Sequence, residues 1–156
     1  MHGRTIGSLS VTCTPSRVKT DTPVLDFPLA DFPNTKYPLN QFEVENKIEN
    51  ERVLKQIRDI IQTRRAEDRP VTGIIIEPIL AEGGDCAATF DFYRNLRKLA
   101  LDENIYFIVD EVQTGGGISG KWWAHEHWGL ETPPDIVTFA KKMCTGGYYH
   151  NDLTRK

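Results

Sequence analysis

The sequence predicts an α/β fold in which helices cover a sheet with parallel strands. Two short apolar runs end in an acid, Gly73–Ile76 before Glu77 and Ile105–Val109 before Asp110. Such runs, rich in β-branched residues, are typical of strands that are covered on both faces. A helical repeat separates them, which predicts a right-handed strand–helix–strand unit. A third apolar run, Ile136–Ala140, extends the predicted sheet.

The elements before the first buried strand are predicted from propensity and from proline spacing. Ile6 to Thr14 contains Thr and Val and is predicted to be a short strand. Prolines recur too often between Pro15 and Leu39 for a helix or a central strand, so this stretch is predicted to be an extended surface segment. We expect it to pack through Phe27, Phe32 and Tyr37.

Two helices are predicted from apolar residues that recur every three or four positions. The first runs from about Val44 to Ala66, with Val53, Leu54, Ile57, Ile60 and Ile61 on its apolar face. The second runs from about Thr89 to Asn104, with Phe92, Leu96 and Leu99 on one face. The loop from Ala81 to Asp85 is expected to turn the chain between them.

The glycines and the tail complete the prediction. Gly115 to Gly117 permit positive φ or close backbone approach, and we expect Trp122, Trp123 and Trp128 to form a bulky patch beside them. Gly146 and Gly147 are expected to turn the chain. The polar tail from Asn151 to Lys156 is expected to fray.

Composition narrows the classes of function. The 156 residues suffice for one domain, and a net charge of −3 indicates neither a nucleic-acid nor an anionic-membrane partner. No apolar run reaches the roughly 18 residues of a membrane span. Three cysteines without a CxxC pair indicate neither a disulfide framework nor a zinc site, and a reducing compartment fits best. The N-terminus has no basic region followed by an apolar one, so no secretory signal is predicted.

An acid and an amine are predicted to face one ligand. Ligands of open α/β sheets bind beyond the carboxyl ends of the strands, where Asp110 lies. Lys141 follows the next apolar run and is suited to be a partly desolvated nucleophile, whereas Lys142 is expected to be an ordinary exposed lysine. A carboxylate opposite a reactive lysine is the arrangement that a pyridoxal phosphate enzyme needs.

Two other hypotheses fit the same region less well. Residues 115–121, GGGISGK, match the first seven positions of a nucleotide-binding P-loop. However, Trp122 stands where a magnesium-binding Ser or Thr belongs, and WWAHEHW is a poor start for the helix that binds phosphate. His125 and His127 suggest a metal, but an HxH pair without a third ligand favours packed, hydrogen-bonded histidines.

Five motifs carry a family resemblance. They are, in chain order, HGRT, GIIIEPILAEGGD, VDEVQTGGG, GKWWAHEHWGL and PDIVTFAKKMCTGG. In sequence and order they resemble the class III aminotransferases, and within them the eukaryotic 4-aminobutyrate (GABA) aminotransferases. The resemblance implies the fold-type I large domain of pyridoxal-phosphate-dependent transferases, with a mixed, mostly parallel sheet flanked by helices, here incomplete. Residues 1–150 are expected to be part of that domain, and residues 151–156 a divergent tail.

The resemblance also implies roles at the cofactor. Lys141 is expected to be the catalytic lysine, which bonds to the aldehyde of pyridoxal 5'-phosphate and shuttles protons. Asp110 is expected to pair with the pyridine nitrogen and Gln113 with the phenolic oxygen. His2 and Glu77 are expected to lie near the ring.

Substrates, partners and location follow from the same resemblance. Arg4 resembles the arginine that binds the carboxylate of 4-aminobutyrate, and a guanidinium fork suits a carboxylate. Glu82 resembles a glutamate on the substrate side of the pocket. The implied reaction moves the amino group of 4-aminobutyrate to 2-oxoglutarate in a homodimer. The family implies the mitochondrial matrix; without a visible transit peptide the alternative is the cytoplasm.

The chain is expected to begin inside the domain, since Met1 stands where the family has an aromatic residue. The upstream phosphate-binding loop and the downstream substrate-selecting arginine of the family are not in this sequence. We therefore expect weak binding of pyridoxal phosphate by this chain alone. An alternative hypothesis is an inactive remnant that associates with full-length aminotransferase subunits.

Overall fold

The computed structural model describes residues 1–13 and 21–152. Along these residues there are three α-helices and four strands, in the order α1 (Ile6–Ser10), α2 (Glu43–Ala66), β1 (Gly73–Ile76), α3 (Phe90–Asp102), β2 (Tyr106–Asp110), β3 (Ile136–Phe139) and β4 (Gly147–His150). Short 3-10 turns lie at Leu39–Gln41, Ala124–Trp128 and Lys141–Met143. Both long helices lie within two residues of their predicted bounds.

The four strands form one sheet in the order β1-β2-β3-β4. β1 pairs with β2 and β2 with β3 in parallel, so the predicted parallel sheet is confirmed. β4 pairs antiparallel with β3, with Phe139 opposite Gly147 and Ile136 opposite His150. The prediction of a simple turn at Gly146 and Gly147 was therefore incomplete, because Gly147 already belongs to an edge strand.

The core lies between the sheet and the two long helices. α2 and α3 share one buried core with β1 and β2, and its fully buried residues include Val53, Leu96, Ala100, Phe107 and Val109. Ile60, predicted on the apolar face of α2, is only half-buried. Trp128 also belongs to this core, where its ring stacks on Tyr93 at 3.9 Å between centroids. The prediction that Trp128 joins a patch beside the glycines was wrong, because the 3-10 turn before it directs its ring inwards.

The predicted first strand is a helix. Thr5 caps α1 by accepting a hydrogen bond from the Ser8 N–H at 3.3 Å. The hydroxyls of Ser10 and Thr12 donate to carbonyls four residues earlier, each at 2.7 Å. These local side-chain bonds satisfy one turn of helix and outweigh the strand propensity of the segment. Thr14, the end of the predicted strand, lies outside the described residues.

The predicted extended segment has no helix or strand over residues 21–38. Only Phe32 packs as expected, edge-on against Phe92 at 6.4 Å, whereas Phe27 and Tyr37 are exposed. Ion pairs hold the segment on α2 instead, one from Arg64 to Asp26 at 2.9 Å and one from Arg52 to Asp31 at 2.9 Å. The part of the prediction over residues 15–20 lies outside the described residues.

A buried ion pair joins α3 to the start of β3. Both terminal nitrogens of Arg97 bond Asp135, at 2.6 and 3.2 Å. Asp135 also accepts from the Phe107 N–H at 2.8 Å and from Nδ2 of Asn151 at 2.7 Å. Burial raises the pKa of Asp135, but these donors hold it below its ordinary value. Asn151 is thus anchored, although the sequence places it in a polar tail.

Within residues 1–13 and 21–152, no helix combines the length and the apolar composition that a bilayer crossing requires.

Candidate active site

The carboxyl ends of the three parallel strands meet at one edge of the sheet. Glu77 directly follows β1, Asp110 ends β2, and Lys141 comes two residues after the end of β3. The three side chains line a single cavity with Glu82 and Gln113. Five of the seven predicted site residues therefore lie together, and parallel strand order is the physical reason.

Asp110 is a buried carboxylate with built-in partners. Its side chain is 5% exposed and accepts from Nδ1 of His2 at 2.7 Å. The backbone N–H of Val112 and the hydroxyl of Thr138 both donate to the other oxygen, each at 3.0 Å. Burial raises the pKa of Asp110, but the His2 bond and the other donors hold it below its ordinary value. The carboxylate is therefore ionised at neutral pH.

Thr138 was missed by the sequence analysis. It lies on β3 in register with Asp110, so its hydroxyl reaches the carboxylate of the neighbouring strand. A polar residue inside the otherwise apolar run Ile136–Ala140 is the signal that could have found it.

Lys141 points its amine at Gln113. Nζ of Lys141 donates to Oε1 of Gln113, and both side chains are exposed to solvent. Lys141 opens the 3-10 turn that follows β3 with a φ of +47°, in the left-handed region that few lysines adopt. Such a conformation turns the chain sharply as it leaves the sheet. The adjacent Lys142 is exposed and does not line the cavity.

The cavity itself is narrow. Its volume is about 20 Å³, which is room for roughly one water molecule. The terminal amino group of Met1 occupies one side and contacts Glu77. A larger ligand therefore does not fit between these side chains in the arrangement that the structure describes.

Arg4 is not brought to this cavity. Its side chain is exposed, and no hydrogen bond in the described part of the chain involves it. His2, two residues earlier, does reach Asp110. The role of Arg4 in binding a substrate stays a prediction.

The alternative motifs have other roles in the structure. Residues 115–121 lead into a five-residue 3-10 turn, so the P-loop hypothesis lacks the α-helix that it requires. His125 bonds Glu111 at 2.9 Å and His127 bonds the Ser119 carbonyl at 2.9 Å, in agreement with hydrogen-bonded histidines. Among the described residues, no three His, Cys, Asp or Glu side chains are grouped to hold a metal ion.

Comparison with known proteins identifies the family. The family model described as "Aminotransferase class-III" matches residues 1–156. The chain belongs to the class III aminotransferases. The predicted family membership is thereby confirmed.

Several relatives within this family are similar to the chain in sequence. The class III chain is 51% identical to the mitochondrial 4-aminobutyrate aminotransferases of Mus musculus and Homo sapiens over 154 residues. It is also 51% identical to the 4-aminobutyrate aminotransferase of Dictyostelium discoideum over 150 residues. The match covers 99% of this chain but 31% of the mouse protein, so the chain spans about a third of the relative's length.

Solved structures confirm the fold. The lysine aminotransferase of M. tuberculosis in the internal aldimine form superposes with a TM-score of 0.87 at 30% identity, over 99% of this chain and 34% of that one. An omega-transaminase from Thermomicrobium roseum superposes with a TM-score of 0.75 at 25% identity, with the same two coverages. The class III chain has the fold of these enzymes over a third of their length, as the prediction of an incomplete domain expected.

Class III aminotransferases depend on pyridoxal phosphate. The donor set in this class III chain fits that cofactor. An ionised carboxylate has about four acceptor positions, and Asp110 uses three of them, for His2, Val112 and Thr138. The remaining position suits the N–H of a protonated pyridine ring. Lys141 supplies an exposed primary amine at the same cavity, which suits the cofactor's aldehyde.

Acid is expected to unfold this class III chain through its buried carboxylates. Asp110, Glu111 and Asp135 all have a pKa below the ordinary values of 3.8 for Asp and 4.5 for Glu. A lowered folded pKa contributes stability above the ordinary value, and this stability is lost as pH falls through the folded pKa. We expect the urea midpoint to be flat down to about pH 5 and to fall below about pH 4. An Asp135→Asn variant should show a shallower fall, and a midpoint that rises with acid would contradict the linkage.

Gly115→Ala is expected to destabilise the chain. A Cβ at this position would lie 2.8 Å from the Trp123 ring and 2.9 Å from the backbone oxygen of Glu111. Since the backbone oxygen cannot rotate away, we expect a loss of about 1–3 kcal/mol in the free energy of unfolding, measured in urea. Gly7→Ala is the control, because nothing lies within 4 Å of its Cβ in α1. We expect that change to be neutral or stabilising by up to about 1 kcal/mol. Equal losses of unfolding free energy in the two variants would show that no clash forms at Gly115.

Proposed function

We propose that this chain provides the lysine-bearing part of a 4-aminobutyrate:2-oxoglutarate aminotransferase that works through pyridoxal phosphate bound to Lys141. The observation that carries the proposal is the shared cavity of an ionised, buried Asp110 and the amine of Lys141. Identity of about half to named 4-aminobutyrate aminotransferases supports the choice of substrate.

Asp110 holds a proton on the cofactor's ring nitrogen. When bound, pyridoxal phosphate supplies an electron sink for the carbon that carries the amino group. The ionised carboxylate stabilises the protonated ring nitrogen, and His2 and Thr138 keep both of its oxygens in place. Glu77 lines the same cavity and is proposed to lie near the ring.

Lys141 would hold the cofactor by its aldehyde and would move protons. Its amine would take a proton from the substrate carbon next to nitrogen and hold it at Nζ. Gln113 accepts a hydrogen bond from Nζ of Lys141, which orients the amine in the ligand-free chain. The same amide is proposed to pair with the phenolic oxygen of the ring.

The substrate carboxylate is proposed to bind Arg4. The guanidinium is exposed and lies two residues from His2, which contacts Asp110. A planar guanidinium can hold a carboxylate by two parallel hydrogen bonds. Glu82 lines the cavity and is proposed to face the substrate.

Assembly and location extend the proposal. We propose a homodimer in the mitochondrial matrix, and the relatives named mitochondrial support the location. Residues 1–150 are proposed to form part of the pyridoxal-phosphate-binding domain, and residues 151–156 a divergent end.

A chimera tests the proposed function. The 154 matched residues of the mouse protein are replaced by this chain, and glutamate formation from 2-oxoglutarate is measured with excess pyridoxal phosphate. We expect transfer with 4-aminobutyrate as donor and much less with lysine. Transfer with lysine but not with 4-aminobutyrate would refute 4-aminobutyrate as the substrate. No transfer in a folded chimera would favour the alternative hypothesis of an inactive remnant. The unmodified mouse protein is the positive control.

A further inference from the structure

A buried carboxylate that the proposed chemistry does not use lies directly after Asp110. Glu111 is 0% exposed. It accepts hydrogen bonds from the hydroxyl of Thr114, from the N–H groups of Ala124 at 3.0 Å and His125 at 2.8 Å, and from Nδ1 of His125 at 2.9 Å. Burial raises the pKa of Glu111, but these donors hold it below its ordinary value. All of its acceptor positions are used, so no ligand is needed to satisfy it.

These bonds join the two ends of one loop, residues 112–123. Thr114 lies near the start of the loop, whereas Ala124 and His125 follow its end. Within the loop, the Gly116 N–H donates to the carbonyl of Trp122 at 2.9 Å. One carboxylate thus connects the end of β2 with the 3-10 turn that comes after the loop.

The same loop contacts the turn that carries Lys141. Gln113, near its start, accepts a hydrogen bond from Nζ of Lys141. Gly116 has a φ of +82°, and a Cβ there would lie 3.4 Å from Sδ of Met143 and 3.5 Å from the Lys142 side chain. The loop therefore meets the lysine turn at two points, one polar and one packed.

We propose that Glu111 is a positioning residue that fixes the loop 112–123, so that Gln113 holds the amine of Lys141 at the cavity. Glu111 does not line the cavity and acts only through the loop. The importance of the amine rests on the proposed function, but the effect of Glu111 on the loop does not.

Glu111→Gln tests the inference. In the glutamine, an amide NH2 group replaces one oxygen that accepts hydrogen bonds in the wild type. Because this group cannot accept, at least one hydrogen bond is lost. By hydrogen–deuterium exchange of the full chain we expect amides of residues 112–123 to exchange about tenfold faster or more. In the same samples, pyridoxal phosphate and borohydride should label Lys141 with less preference over Lys142 than in the wild type. Asp135→Asn is the matched control, since it removes another buried carboxylate at the far end of β3 and should change neither readout.

His125 offers a second test that leaves Glu111 intact. His125→Ala removes one donor from a partly exposed position, and His125→Asn can replace the Nδ1–H with an amide N–H. We expect faster exchange of the loop in His125→Ala and recovery in His125→Asn.

Unchanged exchange of the loop in both Glu111→Gln and His125→Ala would overturn the inference, as would an equal change in Asp135→Asn. A preference for Lys141 that survives Glu111→Gln would overturn it and leave the proposed function standing. Faster loop exchange in a chain whose wild type shows no preference for Lys141 would support the role of Glu111 on the loop and refute the proposed lysine.

Discussion

Lys141→Ala is expected to abolish specific covalent trapping of pyridoxal phosphate. The chain is mixed with the cofactor and reduced with borohydride, and modified lysines are mapped by peptide mass spectrometry. Lys141 lies with the ionised Asp110 at one cavity, so a cofactor that bonds its amine also gains a partner for the ring nitrogen. Without Lys141, labelling should fall to the background of the exposed lysines.

Lys142→Ala is the matched control for this experiment. It removes the same charge one residue later, from an exposed side chain that does not line the cavity. Specific labelling should persist at Lys141. Labelling that disappears in Lys142→Ala and persists in Lys141→Ala would identify Lys142 as the reactive lysine and contradict the prediction. Equal labelling of many lysines in the wild type would mean that the pocket does not select one.

Phe107→Ala is expected to destabilise the chain severely. Phe107 is 0% exposed in β2, with the Trp128 ring centroid at 6.5 Å and the Arg97 guanidinium at 5.8 Å from its ring. Truncating a buried Phe leaves a cavity and costs about 3–5 kcal/mol. This is a large share of the roughly 5–15 kcal/mol that stabilises an ordinary domain. Urea unfolding followed by circular dichroism measures the loss.

Tyr106→Ala serves as the control in the same strand. Its side chain is 41% exposed, so its truncation should cost about 1 kcal/mol or less. Similar losses in the two variants would contradict the structure, in which the face of β2 that carries Phe107 is covered and Tyr106, on the other face, is exposed.

The sequence determined the parts of the fold that depend on local pattern. The helices α2 and α3 were predicted because their apolar residues recur every three or four positions, and the strands β1 and β2 because each is a short apolar run that ends in an acid. The order strand, helix, strand then requires a parallel pair, and parallel strands bring Asp110 and Lys141 to one edge. Specific motifs supplied the family and the expected roles of the site residues.

Only the tertiary structure decided features that depend on contacts distant in sequence. α1 lies where its residues favour a strand, and a distant contact holds it, since the Ser10 hydroxyl accepts from the Leu25 N–H at 2.8 Å. β4 forms because β3 offers an open edge to Gly147–His150, which a turn signal in the sequence conceals. Trp128 is buried because α3 places Tyr93 under its ring.

The same division applies to the site. The sequence alone predicted that Asp110 and Lys141 lie at one edge of the sheet, since an acid and an amine after apolar runs are visible in one dimension. Glu111 shows no such signal, because a carboxylate at a strand end is usually solvent-exposed. Its four donors come from residues 114, 124 and 125, which meet only when the loop closes. The pattern of the chain therefore predicted which groups lie at the cavity, and loop closure decided how Glu111 is hydrogen-bonded.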